Sequence, residues 1–258
     1  MSSNPTLKAK DRILDALRGL DPYVQDGPGE VFFSGLSTLK SGDYFIMGLN
    51  PGGGDAYRTV MQNAQEWEIE RFSNYLDQCW QTKCWNSHGY FDQPGLICPH
   101  GNGTEKHQRA VQNTARRSGI KDLRDVFATQ AVFLKSKEND SFKSEHGFSM
   151  KSAFEKCWPV HKVMLSIVQP KVIICLGFNA TASPFTFLQK KARLLEPVQN
   201  GSTAPGKEVS YRWARVEFND KEIPGQPLLV GVYHPSWRTN PADCDAYTAL
   251  IEKELLVA

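Results

Sequence analysis

The 258-residue chain sets 30 Lys and Arg against 28 Asp and Glu, with 40% hydrophobic and 22% charged residues. That balance describes an ordinary globular protein with enough chain to bury a core, and it excludes a polycation binding nucleic acid through net charge alone. No apolar run approaches the roughly 18 residues of a membrane span, and the opening MSSNPTLKAK lacks the apolar stretch of a secretory signal, so a cytoplasmic protein without a membrane partner is expected.

Residues 7–19 repeat apolar positions at helical spacing and end at Gly19. A connection containing Gly and Pro follows, then an apolar strand, DYFIMGL. Residues 61–80 read as a helix and 84–103 as loop. The next helix is polar, with Thr104 as N-cap and Gly119 as stop. RDVFATQAVF is a second strand, and residues 150–168 are a helix closed by Pro170. KVIICLG is the continuous apolar run of a doubly covered parallel strand. FNATASPFTFLQKKA starts a helix with Pro184 in its first turn, and EVSYRWARVEF is a more exposed, alternating strand. PLLVGVYHPSW ends a buried strand in a polar turn, and DCDAYTALIEKELL closes the chain as a helix. Strands alternating with helices predict a single α/β domain over residues 1–258 with a largely parallel sheet and an insertion around 58–104.

The six cysteines are spread too irregularly for a disulfide framework. Cys175 reads as a small buried apolar residue. Cys79, Cys84, His88, Cys98 and His100 include enough ligand types for zinc, but no tight C-x-x-C is present, so neither metal nor cofactor is expected.

In an open α/β sheet ligands bind outside the carboxyl ends of the strands. Two such ends carry polar turns, IMGLNPGGG and VGVYHPSWR, and a third, VFATQAVF, carries an amide. The first turn is Gly-rich but fits neither phosphate-loop pattern, and Pro51 removes a backbone donor. Taken together, Gly48-Leu49-Asn50-Pro51-Gly52 after one strand and His234-Pro235-Ser236 after a later one resemble the two motifs of the uracil-DNA glycosylase superfamily, over roughly residues 43–240. The first motif is similar to the Asn-containing motifs of the mismatch-specific and single-strand-selective branches. Tyr57 matches a tyrosine of the former, and Arg238 an arginine of the latter. The resemblance implies a central, mostly parallel four-stranded sheet flanked by helices, and a monomeric enzyme acting on DNA, nucleoid-associated if bacterial. Some branches carry an iron–sulfur cluster on cysteines before the first motif; here none precedes Cys79.

The implied reaction is hydrolysis of the N-glycosidic bond of a flipped-out uracil-like or modified pyrimidine. Asn50 and His234 are the expected catalytic pair: the amide holds a water below the sugar, and the imidazole donates to the departing base. Asn50 stands where the most efficient branch has aspartate, and Asp55 is a nearby carboxylate. Gly48, Leu49, Pro51, Gly52, Tyr57 and Gln130 are expected around the base, with Thr129 the alternative to Gln130 by one step of register. Ser236, Trp237 and Arg238 form the expected DNA-contacting wedge, although Trp237 replaces the usual proline. Lys135, Lys137, Lys190, Lys191, Arg116 and Arg117 are candidate phosphate contacts. Gly52, Gly53 and Gly54 leave room for a bulky 5-modified cytosine, such as a glycosylated one in phage DNA, unless Tyr57 or Trp67 fills the space. A catalytically weak DNA-binding module of the same fold is the rival from another class.

Overall fold

Runs such as KVIICLG carry too many consecutive apolar side chains for a sheet with one wet face, and the structure covers them on both sides. It is a computed structural model describing residues 4–50, 58–80, 101–136, 141–202, 209–233, 248–253 and 255. The helices whose two ends both lie among the described residues are α1 (Pro5–Arg18), α2 (Pro22–Asp26), α3 (Val60–Glu66), α4 (Asn74–Asp77), α5 (Lys106–Arg117), α6 (Phe142–His146), α7 (Met150–Val168) and α8 (Pro184–Gln189), and residues 248–253 are helical as well. The strands are β1 (Tyr44–Gly48), β2 (Phe127–Gln130), β3 (Val172–Leu176), β4 (Ala192–Leu194), β5 (Gln199–Gly201), β6 (Tyr211–Phe218) and β7 (Leu228–Val232).

One seven-stranded sheet runs in the order β2-β1-β3-β7-β6-β4, with β5 also on β6. β2, β1, β3 and β7 are parallel; β6 is antiparallel to β7, and β4 and β5 are antiparallel to β6. The expected α/β class holds. The sheet, however, is mixed and larger than the four strands that the resemblance implies: β6, legible by its alternation, joins it, and β4 and β5, three residues each, are too polar to stand out by pattern. β6 alternates in burial along its length, as an antiparallel strand with one partly wet face does.

Alternate residues of the parallel strands feed two apolar layers. Phe45, Met47, Phe127 and Ile173 join the larger one, with α1 and α7. Ile46, Ala128, Ile174 and Val230 join the other, with Val111 and Ala115 of α5. Among the described residues no helix is long and apolar enough to cross a membrane.

The predicted helix over 61–80 is interrupted. α3 ends at Glu66, where the buried Lys10 ammonium donates to the carbonyls of Gln65 (2.8 Å) and Trp67 (2.6 Å) and closes the helix terminus. Residues 69–73 then pair with 34–37: Gly35 N–H donates to Phe72 O and Leu36 N–H to Ile69 O. The chain resumes helix only in the four-residue α4. Residues 58–80 of the expected insertion thus pack into the body, with Val60, Ala64, Trp67 and Phe72 in the larger core. α5 is capped by Glu105 rather than Thr104: the Glu105 carboxylate accepts from His107 N–H at 2.5 Å and pairs reciprocally with Gln108, while Thr104 turns back to Gly101 O.

His161 of α7 is fully buried; Nε2 donates to Ala131 O at 2.9 Å, and Nδ1 has no partner. Burial pushes its pKa down to about 4, and that of His107 likewise to about 4. Both folded values lie below the ordinary 6.5, so the unfolded chain takes up protons first as pH falls. Stability is therefore full above about pH 6.5 and drains toward pH 4, His161 accounting for on the order of 3 kcal/mol. Urea unfolding at pH 7, 5.5 and 4.5 checks this: His161→Gln, which keeps the N–H donor, should lose about one proton from the slope. An unchanged slope contradicts it.

Candidate functional site

The chain moves from β1 to β2 on one side and returns to β3 on the other, so the strand order reverses between β1 and β3. The carboxyl ends at such a reversal open a crevice. Asn50, half-buried, leaves β1 at that point.

Gly48 pairs with Gln130 at the ends of β1 and β2. A Cβ at Gly48 would fall 2.0 Å from Gln130 Oε1, so the amide lies directly across the bare Cα of its neighbour. The register is unambiguous. Thr129 is committed to the interior, its hydroxyl donating to Val31 O at 2.7 Å, and Gln130 is the side chain presented on the other face. Leu49, expected near the base, instead turns its side chain into the larger core. Trp67 does the same, its indole N–H donating to Ser34 O at 3.1 Å and its ring edge-on to Phe72.

A cluster of polar residues that the sequence does not advertise adjoins Gln130 through Tyr75. The Tyr75 hydroxyl is fully buried and faces the Gln130 amide without an aligned hydrogen bond; burial, opposed by that amide and reinforced by the Glu30 charge, raises its pKa. Asn74 donates from Nδ2 to Glu30 Oε1 at 3.0 Å, while its Oδ1 is buried without a partner. α4, which carries both, is held from α5: Gln108 donates to Asn74 O (2.7 Å) and Gln78 O (2.8 Å), and Gln112 to Tyr75 O (2.6 Å). A two-pronged Arg124–Asp77 pair, 2.9 and 2.6 Å, fixes the other side of α4, and Asp77 also accepts from Ser73 N–H. Gly177, at φ 126°, donates to Val232 O at 2.9 Å and ties the end of β7 to β3.

The structure thus brings Gly48, Asn50 and Gln130 to one strand edge. Pro51, Gly52, Tyr57, His234, Ser236, Trp237 and Arg238, with Gly53, Gly54, Asp55 and Lys137, lie outside the described residues. Of the candidate phosphate contacts, Lys135 follows β2 at the carboxyl edge, its carbonyl bonded to His146 Nε2. Arg116 and Arg117 end α5 next to Ser118, whose carbonyl accepts from Tyr44 at the opposite, amino end of β1. Lys190 and Lys191 precede β4, which pairs with the far end of β6, and Lys191 is engaged with Glu155 and over the Trp158 ring. A surface depression at the amino edge mixes Asp43, Asp122 and Asp125 with Lys40 and Lys121. Cys79 is buried; Cys84, His88, Cys98 and His100 are outside the described residues, and among those described no group of His, Cys, Asp and Glu is placed to hold a metal.

The Gly48–Gln130 contact predicts a non-additive pair. Gly48→Ala should cost about 1–3 kcal/mol through overpacking, and Gly48→Ala combined with Gln130→Ala should cost less than the sum of the two. Denaturant unfolding of the four proteins in the cycle measures it; strict additivity would contradict the packing. No protein-family model matches the chain, and no curated protein matches it.

Proposed function

We propose that the protein is a monofunctional DNA glycosylase, hydrolysing the N-glycosidic bond of a uracil-like or modified pyrimidine flipped into the carboxyl-edge recess. The observation that carries this reading is the Gln130 amide laid across Gly48, one strand away from the chain end that delivers Asn50. An amide there can read a pyrimidine edge, and a second amide beside it can hold water. Support also comes from the paired motifs around Asn50 and His234 and from the α/β architecture, which sets the ends of parallel strands at one edge.

In the reaction the C1′–N1 bond breaks with its electron pair departing on the base, where charge gathers on O2. The water oxygen bonds to C1′, one water proton goes to solvent, and the base takes up a proton. Water is added across the bond, and no redox partner is needed. Asn50 orients the water through its carbonyl, and His234 donates to O2, which lowers the barrier where charge develops. Gln130 meets the base edge; Ser236, Trp237 and Arg238 contact the DNA and fill the gap in the stack. An asparagine in place of aspartate withholds charge from the sugar cation, so either the chemistry is slower or the base is one that leaves readily.

Single-turnover assays on single- and double-stranded oligonucleotides carrying uracil, mismatched thymine and 5-substituted cytosines test this. Wild type should produce alkali-labile sites at one of these bases, and Asn50→Ala and His234→Ala should each slow release about 10²–10³-fold with DNA binding retained. Release of uracil points to repair, and release of bulky cytosines alone to defence against modified DNA. Binding without release at any base would overturn the reading in favour of a DNA-binding module.

A further inference from the structure

We propose that Glu30, acting with Asn74 and Tyr75, makes this recess selective for pyrimidines that carry an amino group at C4, cytosine and its 5-modified forms, over their uracil-type counterparts. The inference rests on the glycosylase reading of the same site.

Glu30 is placed beside the end of β2 by its backbone. Its N–H donates to Phe133 O at 3.0 Å, and Gly29 bridges Leu134, so residues 29–34 run antiparallel along the continuation of β2. Its carboxylate accepts from Asn74 Nδ2. A carboxylate offers only acceptors, so it fixes the sense of the Asn74 amide and turns Oδ1 the other way. That oxygen and the Tyr75 hydroxyl, on residues with no exposed surface, are the two groups of this cluster left without a hydrogen bond. A buried polar atom without a partner is costly, and in a native fold it asks for an explanation such as a ligand.

The chemistry of the cluster is one-sided. Glu30 and Asn74 Oδ1 only accept, while Tyr75 and the Gln130 amide can either donate or accept. An exocyclic amino group supplies two donors to such a surface. A C4 carbonyl supplies none, and would set its oxygen against a carboxylate and a carbonyl, a built-in penalty against the wrong base. Carboxylates accepting from the cytosine amino group follow the same logic in base recognition generally.

The test is base release by the full chain from oligonucleotides in three pairs differing only at C4: cytosine and uracil, 5-methylcytosine and thymine, 5-hydroxymethylcytosine and 5-hydroxymethyluracil. Wild type should favour the amino member of a cleaved pair about 10–100-fold. Glu30→Gln, whose amide can donate to a C4 carbonyl, should bring that ratio near one by raising release of the uracil-type base. Asn74→Ala should lower the ratio in the same sense, and the wild-type ratio decides alone if either variant fails to fold. A wild-type ratio of one or below, or a ratio that Glu30→Gln leaves unchanged, overturns this inference and leaves the glycosylase reading standing. No release from any of the six substrates, nor from DNA carrying glycosylated 5-hydroxymethylcytosine, overturns both.

Discussion

Everything at the candidate site depends on the missing Cβ of Gly48. β1 and β2 are adjacent parallel strands in register, so residue 48 and residue 130 project from the same face at the same level. Any side chain at 48 would occupy the space that the Gln130 amide fills. The glycine at the end of an otherwise apolar strand is therefore there for close approach, and the polar edge of the sheet begins at that contact. Backbone pairing then fixes the amide on an element that moves little, the condition for a side chain that must read a ligand by geometry.

Around that contact the fold tolerates an energetic burden. The Asn74 Oδ1 and Tyr75 hydroxyl are buried without hydrogen bonds, each at a cost of about 1–3 kcal/mol. The surroundings hold them in place nevertheless: two glutamines of α5 clamp the backbone of α4, and Arg124 grips Asp77 with two hydrogen bonds. Rigid support of polar groups that lack partners is the pattern of a preorganised site, in which local cost is offset by the rest of the core. At the amino edge, by contrast, polar groups such as Tyr44 and Ser118 satisfy one another.

How much of this the sequence discloses follows from the length scale of each signal. β1, β3 and β7 are continuous apolar runs, and β6 alternates, so strand type and the α/β class are legible from period and hydropathy. Gly48, Asn50 and Gln130 are legible as candidates because each closes or follows an apolar strand, and the structure keeps all three at one edge. The break in the helix predicted over 61–80 is not legible, since Lys10, far away in sequence, closes α3. Leu49 was expected to face the base, but in a strand the residue after Gly48 necessarily points to the other layer. Glu30, Asn74 and Tyr75 have no sequence signal at all: they sit in a Gly- and Pro-containing connection and in a helix of four residues, and only the fold brings them to Gln130.

The most direct measurement is a crystal structure of the protein bound to DNA containing one 2′-fluoro pyrimidine nucleotide, whose glycosidic bond resists cleavage because fluorine destabilises the sugar cation. The account predicts the nucleotide flipped out, its base edge within hydrogen-bond distance of Gln130 and its C1′ facing a water held by Asn50. A base left in the stack, or DNA seated at the amino edge near Asp43 and Asp122, would contradict it.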